Sequence, residues 1–372
     1  MSKTLHIVSF DVPYPANYGG VIDVFYKIIE LHKLGFDINL HCFIYGRERS
    51  EILNKYCKRV FYYKRKLGIQ SFFSRKPYIV KSRISSLLLT RLEADNAPIL
   101  YEGIHSTLSL AIILRNNINR KVFIRAHNIE YSYYKELFQI EKNIIKKLFY
   151  YFETKKLKNY ETNIYKNRNV FGISSIDVKR LKALNSNASL IHPFHSNNKI
   201  CSNLGSSNYA LIHGNFDVLD NELSALFFVN IFTKIDLKLI IAGRKPSKKL
   251  KVAVDRNENI KLIQNPEDDE LFSLIKNAHV NLFYSLQSSG IKLKLINALF
   301  VGRFCYVNEN FLVNNSFLNL CTHIKNDNDW ENEIVLAFQK TFSKKDLLNR
   351  QKELLVFNNI FNANEVKSFF LS

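Results

Sequence analysis

Residues 5–43 read LHIVSFDVPYPANYGGVIDVFYKIIELHKLGFDINLHCF, and this stretch decides the fold class. Leu5–Phe10 is a short apolar run stopped by Asp11 and Pro13, which predicts a buried strand. Val21–Leu34 repeats apolar residues at helical spacing and is closed by Gly35, which predicts a helix. Asp37–Phe43 returns to a strand pattern. A strand, a helix and a second strand in direct succession make a βαβ unit, whose strands are parallel.

The alternation continues outward from this unit. Pro98–Tyr101, Val122–Ala126, Val170–Ile173 and Leu190–Ile191 predict further strands with helical stretches between them. Such runs are covered on both faces, which is the doubly wound α/β class. At 195–208 the pattern lapses into HSNNKICSNLGSSN, polar and turn-rich. A second series then begins with Ala210–His213, Lys238–Ala242, Ile260–Ile263, Val280–Phe283 and Phe304–Val307. The expected organisation is two Rossmann-like doubly wound domains facing across a cleft. Residues 1–195 form the first, 196–208 the linker and 209–350 the second, and 351–372 are a C-terminal helix returning to pack on the first. Ligands of open α/β sheets bind beyond the carboxyl ends of the strands.

The chain of 372 residues has 53 Lys+Arg against 33 Asp+Glu, a formal charge of +20. That excess points to an anionic partner without choosing among phosphate-bearing small molecules, anionic lipid and nucleic acid. Five cysteines without a CxxC pair argue against a disulfide framework or zinc site and fit a reducing compartment. No signal-peptide pattern opens the sequence, and no apolar run reaches the roughly 18 residues of a membrane span.

Candidate chemistry sits where predicted strands end. Gly19 and Gly20 lie between the first strand and its helix, where backbone N–H groups can approach an anion. His127, beside Asn128, ends the strand Val122–Ala126 and is the candidate catalytic histidine. Residues 284–300, YSLQSSGIKLKLINALF, place Ser289, Gly290 and Ile291 at a helix start, with Lys292 and Lys294 in its first turn. Cations there oppose the helix dipole, so a bound diphosphate would relieve the conflict. Arg244 ends a neighbouring strand and can grip a phosphate. Asp327-Asn328-Asp329 matches a DxD pattern, but its place before a helix suits capping better than a metal.

Basic aromatic stretches occur at Tyr62–Lys66, at Phe72–Lys76 and from Lys142 to Lys156. Lys and Arg beside aromatic rings suit an anionic membrane surface, a solvated face or nucleic acid.

In their order along the chain these motifs resemble the retaining GT-B glycosyltransferases of family 4 (glycosyl transferases group 1). The resemblance rests on the loop Pro13–Gly20, His127-Asn128, the Ile173–Asp177 segment, Leu239–Arg244 and Gly290–Lys294. It implies a hexosyltransferase that moves a sugar from a UDP- or GDP-linked donor to a saccharide or lipid-linked acceptor with retained configuration. The setting implied is cell-surface polysaccharide synthesis in the cytoplasm, and the basic aromatic stretches add the expectation of a peripheral place on the inner membrane face. It further implies donor binding by Gly19, Gly20, Arg244, Ser289, Gly290, Ile291, Lys292 and Asn297, catalysis by His127 and Lys294, and no metal or cofactor. The family often places two glutamates eight positions apart in the donor helix; Ser289 and Asn297 stand there instead. That departure keeps open an inactive nucleotide-binding subunit, beside a GT-B-fold sugar-nucleotide epimerase. Nucleic acid is not expected, because charge alone supports it.

Overall fold

The computed structural model describes residues 3–286, 293–311 and 317–371. The chain divides into two compact units. Unit 1 comprises residues 3–196 and 356–371; the remaining described residues form unit 2.

Unit 1 holds a sheet of seven strands: β1 (Thr4–Ser9), β2 (Asp37–Ile44), β3 (Arg59–Lys64), β4 (Ile99–Glu102), β5 (Val122–Ala126), β6 (Asn169–Gly172) and β7 (Asn187–Leu190). Their order is β3-β2-β1-β4-β5-β6-β7, and each neighbouring pair is parallel. Alternate residues feed opposite faces, as a pleated strand requires. Leu5 and Ile7 join the core under the first helix, Gly19–Lys33, while Val8, Tyr101 and Ile124 join the core on the other face. Val366 and Phe370 of the C-terminal helix Asn359–Leu371 belong to the first of these cores.

Unit 2 repeats the plan with six parallel strands: β8 (Tyr209–Asn215), β9 (Lys238–Arg244), β10 (Ile260–Gln264), β11 (Val280–Phe283), β12 (Phe304–Asn308) and β13 (Thr322–Ile324). Their order is β10-β9-β8-β11-β12-β13. Phe228 and Phe232 of the helix Leu219–Phe232 pack with Trp330, which is fully buried. Residues of the polar stretch after His195 are pinned to this unit: the Cys201 N–H donates to the Phe300 carbonyl at 2.7 Å, and Gly205 pairs with Phe342.

In both sheets the strand order reverses beside the first strand, between β1 and β4 and between β8 and β11. These are the points at which open α/β sheets leave room for a ligand.

One expectation is corrected here. Tyr62 and Tyr63 are not part of a surface-lying basic stretch but of β3, the edge strand of the first sheet. Tyr63 is buried, with its hydroxyl 2.8 Å from His41 Nδ1. Pairing to β2 and the core face claim the rings that the sequence left beside Lys64–Lys66.

Candidate active site

In unit 1 the strand ends carry a buried charge network. Glu102 terminates β4, and its Oε2 accepts from His127 Nε2 at 2.8 Å, just beyond β5. The first helix supplies Asp23 and Lys27, one turn apart on its buried face. Lys27 Nζ lies 3.0 Å from Asp23 and 2.9 Å from Glu102. Arg125, from β5, donates to both Asp23 oxygens at 3.1 and 3.0 Å, and the Phe194 N–H adds 2.8 Å. Burial works against ionisation of both acids. Arg125 and then Lys27 outweigh it at Asp23, while Lys27 and the His127 hydrogen bond outweigh it at Glu102, so both lie below the usual carboxylate range.

Asp23, Glu102 and His127 present ligand-type atoms within 4.8 Å of one another. Two cations already neutralise the two carboxylates, and a divalent ion would have to displace the Lys27 ammonium. His127 is fixed by Glu102, not by the adjacent Asn128. Its Nδ1 is buried and 3.7 Å from Asp23 Oδ2, too long for a hydrogen bond.

The loop entering the first helix is tied internally. Asp11 accepts from the Val12 N–H at 2.8 Å and from the Tyr18 hydroxyl at 2.9 Å. Arg47 donates to the Val12 carbonyl and Asn17 Oδ1 at 2.8 Å each, and to the Pro15 carbonyl. Gly19 opens the helix. At Gly20 a Cβ would meet the tip of the Phe10 ring at 2.7 Å, so a larger residue there would have to push that ring aside. Phe10 also meets the His127 ring edge-on, with centroids 5.4 Å apart.

In unit 2 the equivalent strand ends are polar. Asp220, in the first turn of Leu219–Phe232, accepts Ser285 Oγ at 2.6 Å and the Leu286 N–H at 2.8 Å. Asn308 holds Ser285 through its backbone. Lys294 stands in the first turn of the helix Leu293–Val301; its Nζ donates to Asn221 Oδ1 at 2.9 Å and lies 5.2 Å from the Phe311 ring centre. Asn221 in turn donates to the Asn215 carbonyl at 2.9 Å, at the end of β8. The buried His213 is pushed down to about 3 by burial and then by Lys294, so it is a neutral imidazole at ordinary pH.

Arg244 ends β9 with its side chain half exposed and 3.9 Å from the exposed Asp268. Asn297 is half-buried one turn beyond Lys294. Ser289, Gly290, Ile291 and Lys292 lie outside the described residues. The Asp327 and Asp329 carboxylates serve separate partners, the Tyr284 hydroxyl and the Asn326 amide, each at 3.0 Å.

Unit 1 therefore gathers Gly19, Gly20 and His127 near one strand-end network, while unit 2 gathers Lys294, Asn297 and Arg244 on elements around another. Sequence reading passed over Asp23, Lys27, Glu102, Asn221 and Asp220. Asp23 and Lys27 had left a trace: opposite charges four residues apart inside an otherwise apolar helical stripe.

No protein-family profile matches the chain. An uncharacterized 44.6 kDa protein in the cps region of Klebsiella pneumoniae is 29% identical over 388 aligned residues, covering 98% of this chain and 95% of that protein. Among solved structures, a glycosyltransferase from Rickettsia africae superposes with a TM-score of 0.65 at 13% identity, covering 100% of this chain and 99% of that one. Anabaena HepE in complex with UDP and glucose gives 0.66 at 10% identity, covering both chains fully at 100%. The lipopolysaccharide outer core galactosyltransferase WaaB gives 0.63 at 10%, covering 98% and 99%. Through both of its parallel-sheet units, this chain has the fold of the GT-B glycosyltransferases.

Proposed function

We propose that the chain is a glycosyltransferase that moves a sugar from a UDP- or GDP-linked donor to a saccharide or lipid-linked acceptor, with retained configuration. The observation that carries this reading is full-length agreement in fold with HepE, solved with UDP and glucose. Lys294 supports it, as a cation at a helix start beside the end of β8. The likeness to a protein of a cps region favours a role in cell-surface polysaccharide synthesis.

In this reading the donor diphosphate lies on unit 2. Lys294 and Arg244 face the charge that grows on the leaving phosphate, and preorganised cations at that place lower the barrier. Asn297 has an amide suited to ribose or sugar hydroxyls. His127 is the reaction-centre residue of unit 1, its ring held in place by Glu102. No step passes through a metal ion. The five free cysteines suit a cytoplasmic setting.

A thermal-shift panel of UDP, GDP and their sugars tests the reading, because a ligand of the native state raises apparent stability. One nucleotide class should stabilise the protein, and Lys294→Ala should weaken its binding roughly tenfold, the order of a lost charge-assisted hydrogen bond. A flat response to every nucleotide would sink the donor assignment. Unchanged affinity in Lys294→Ala would remove that lysine from the pocket.

A further inference from the structure

The helix Ile144–Tyr165 of unit 1 has two apolar sides. One is its core side, carrying Leu157 and Tyr160 along with Glu153 and Glu161. The other faces outward. Ile144 and Ile145 are each 81% exposed, Leu148 56% and Phe152 52%, with Tyr151 beside them. At 100° per residue these five side chains span an arc of about 120°, opposite the buried residues. Phe72 and Phe73, the latter 79% exposed, adjoin the stripe: Phe72 stacks on Phe149 with centroids 5.5 Å apart, and Lys156 Nζ donates to the Phe72 carbonyl at 3.0 Å.

Charge surrounds this surface. From Lys142 to Lys158 the sequence carries six lysines and one glutamate, and that Glu153 is buried. Arg75 and Lys76 follow Phe73 and are exposed. Soluble surfaces rarely leave adjacent isoleucines and phenylalanines so bare. Two copies of the patch brought together would juxtapose their lysines, which opposes self-association. Nucleic acid offers phosphates to the lysines but little to aliphatic isoleucines. An anionic bilayer satisfies both parts, with acyl chains for the stripe and headgroups for the ammonium rim.

We infer that the outward face of Ile144–Phe152, with Phe72 and Phe73, is a membrane-docking surface that inserts its apolar side chains into an anionic leaflet. This inference rests on unit 1 alone and stands apart from the donor assignment on unit 2.

The test is co-sedimentation of the full chain with vesicles of phosphatidylcholine alone or mixed equally with phosphatidylglycerol. The chain should bind the mixed vesicles, with affinity at least roughly tenfold above the neutral ones and falling with added salt. The double variant Ile144→Ser/Ile145→Ser changes no charge and touches side chains outside the core, so its melting temperature should hold while vesicle affinity falls roughly tenfold or more. Ile144→Trp should show blue-shifted emission on mixed vesicles; the single native tryptophan, Trp330, is fully buried and supplies a steady background. Failure to bind either vesicle, or full binding by the double serine variant, overturns the inference. So does a concentration-dependent dimer abolished by the same two substitutions, or retention on duplex DNA with none on vesicles. Nucleotide binding by the same preparations separates these outcomes from failure of the donor reading.

Discussion

Glu161 accepts the N–H groups of Glu130 and Tyr131 at 2.8 and 2.9 Å, closing the start of the helix Glu130–Ile140 from the neighbouring helix. Burial outweighs these bonds, pushing its carboxyl from the ordinary 4.5 up to about 8. Glu130, also buried, is pushed up to about 7 by the same cause. Native protein then keeps protons that the unfolded chain has released. Stability from these protonated acids is complete below the unfolded value and drains as pH rises toward 8, by up to about 1.4 kcal/mol per pH unit for each group. Glu161→Gln leaves one N–H poorly paired, so it should be less stable than the parent at pH 5, by roughly 1–3 kcal/mol. Its pH dependence between 5 and 8 should lack the Glu161 share of this loss, because Glu130 is the one member of the pair that still titrates. Urea midpoints at pH 5, 6, 7 and 8 check this, and parallel declines for the two proteins would refute the assignment. Titration of this kind comes from enclosure on all sides, which residue identity alone does not disclose. The sequence shows two glutamates, and only the tertiary structure shows their shared burial.

Strands and helices were the most legible level. β5 and β11 fall on the residues their apolar runs predict, Val122–Ala126 and Val280–Phe283, because fully buried parallel strands have no polar face to blur the signal. β3 was obscured because an edge strand tolerates Arg59 and Lys64, leaving a run that resembles a basic surface. The site was less legible than its scaffold. Lys294 was readable as a cation at a helix start, whereas its partner Asn221 lies seventy-three positions away and is brought to it by folding. Gly243, in the segment that resembles a donor-binding element, has a packing cause: it pairs with Gly214 across β8 and β9, and a Cβ there would stand 1.8 Å from the Gly214 carbonyl oxygen. Backbone cannot yield as a flexible side-chain end can. Gly243→Ala should therefore pry the strand ends apart and cost unit 2 about 1–3 kcal/mol or more. A denaturant midpoint equal to the parent's would show that the strand ends relax without cost.

At the scale of the whole molecule, two units with separate cores allow the nucleotide's position to be read directly. Trp330 is the chain's one tryptophan and lies fully buried among Phe228, Tyr284 and Ile334, so its emission reports the unfolding of unit 2. A nucleotide at about a hundred times its dissociation constant stabilises the state that binds it by about 2.7 kcal/mol. In a domain of this size that moves a melting midpoint by roughly 5–10 °C. The Trp330-detected transition should shift by that amount with the nucleotide that scores in the thermal panel. Hydrogen exchange under the same conditions should slow around 213–221, 243–247 and 284–286, where the strand ends of unit 2 hold Asn221, Arg244 and Ser285. The buried network of Asp23, Glu102 and His127 already has its charges compensated and offers a diphosphate no spare cation. Slowing confined to the stretches around Glu102 and His127, with the Trp330 transition unmoved, would place the nucleotide on unit 1. It would also take Lys294, bonded to Asn221, out of the proposed donor site.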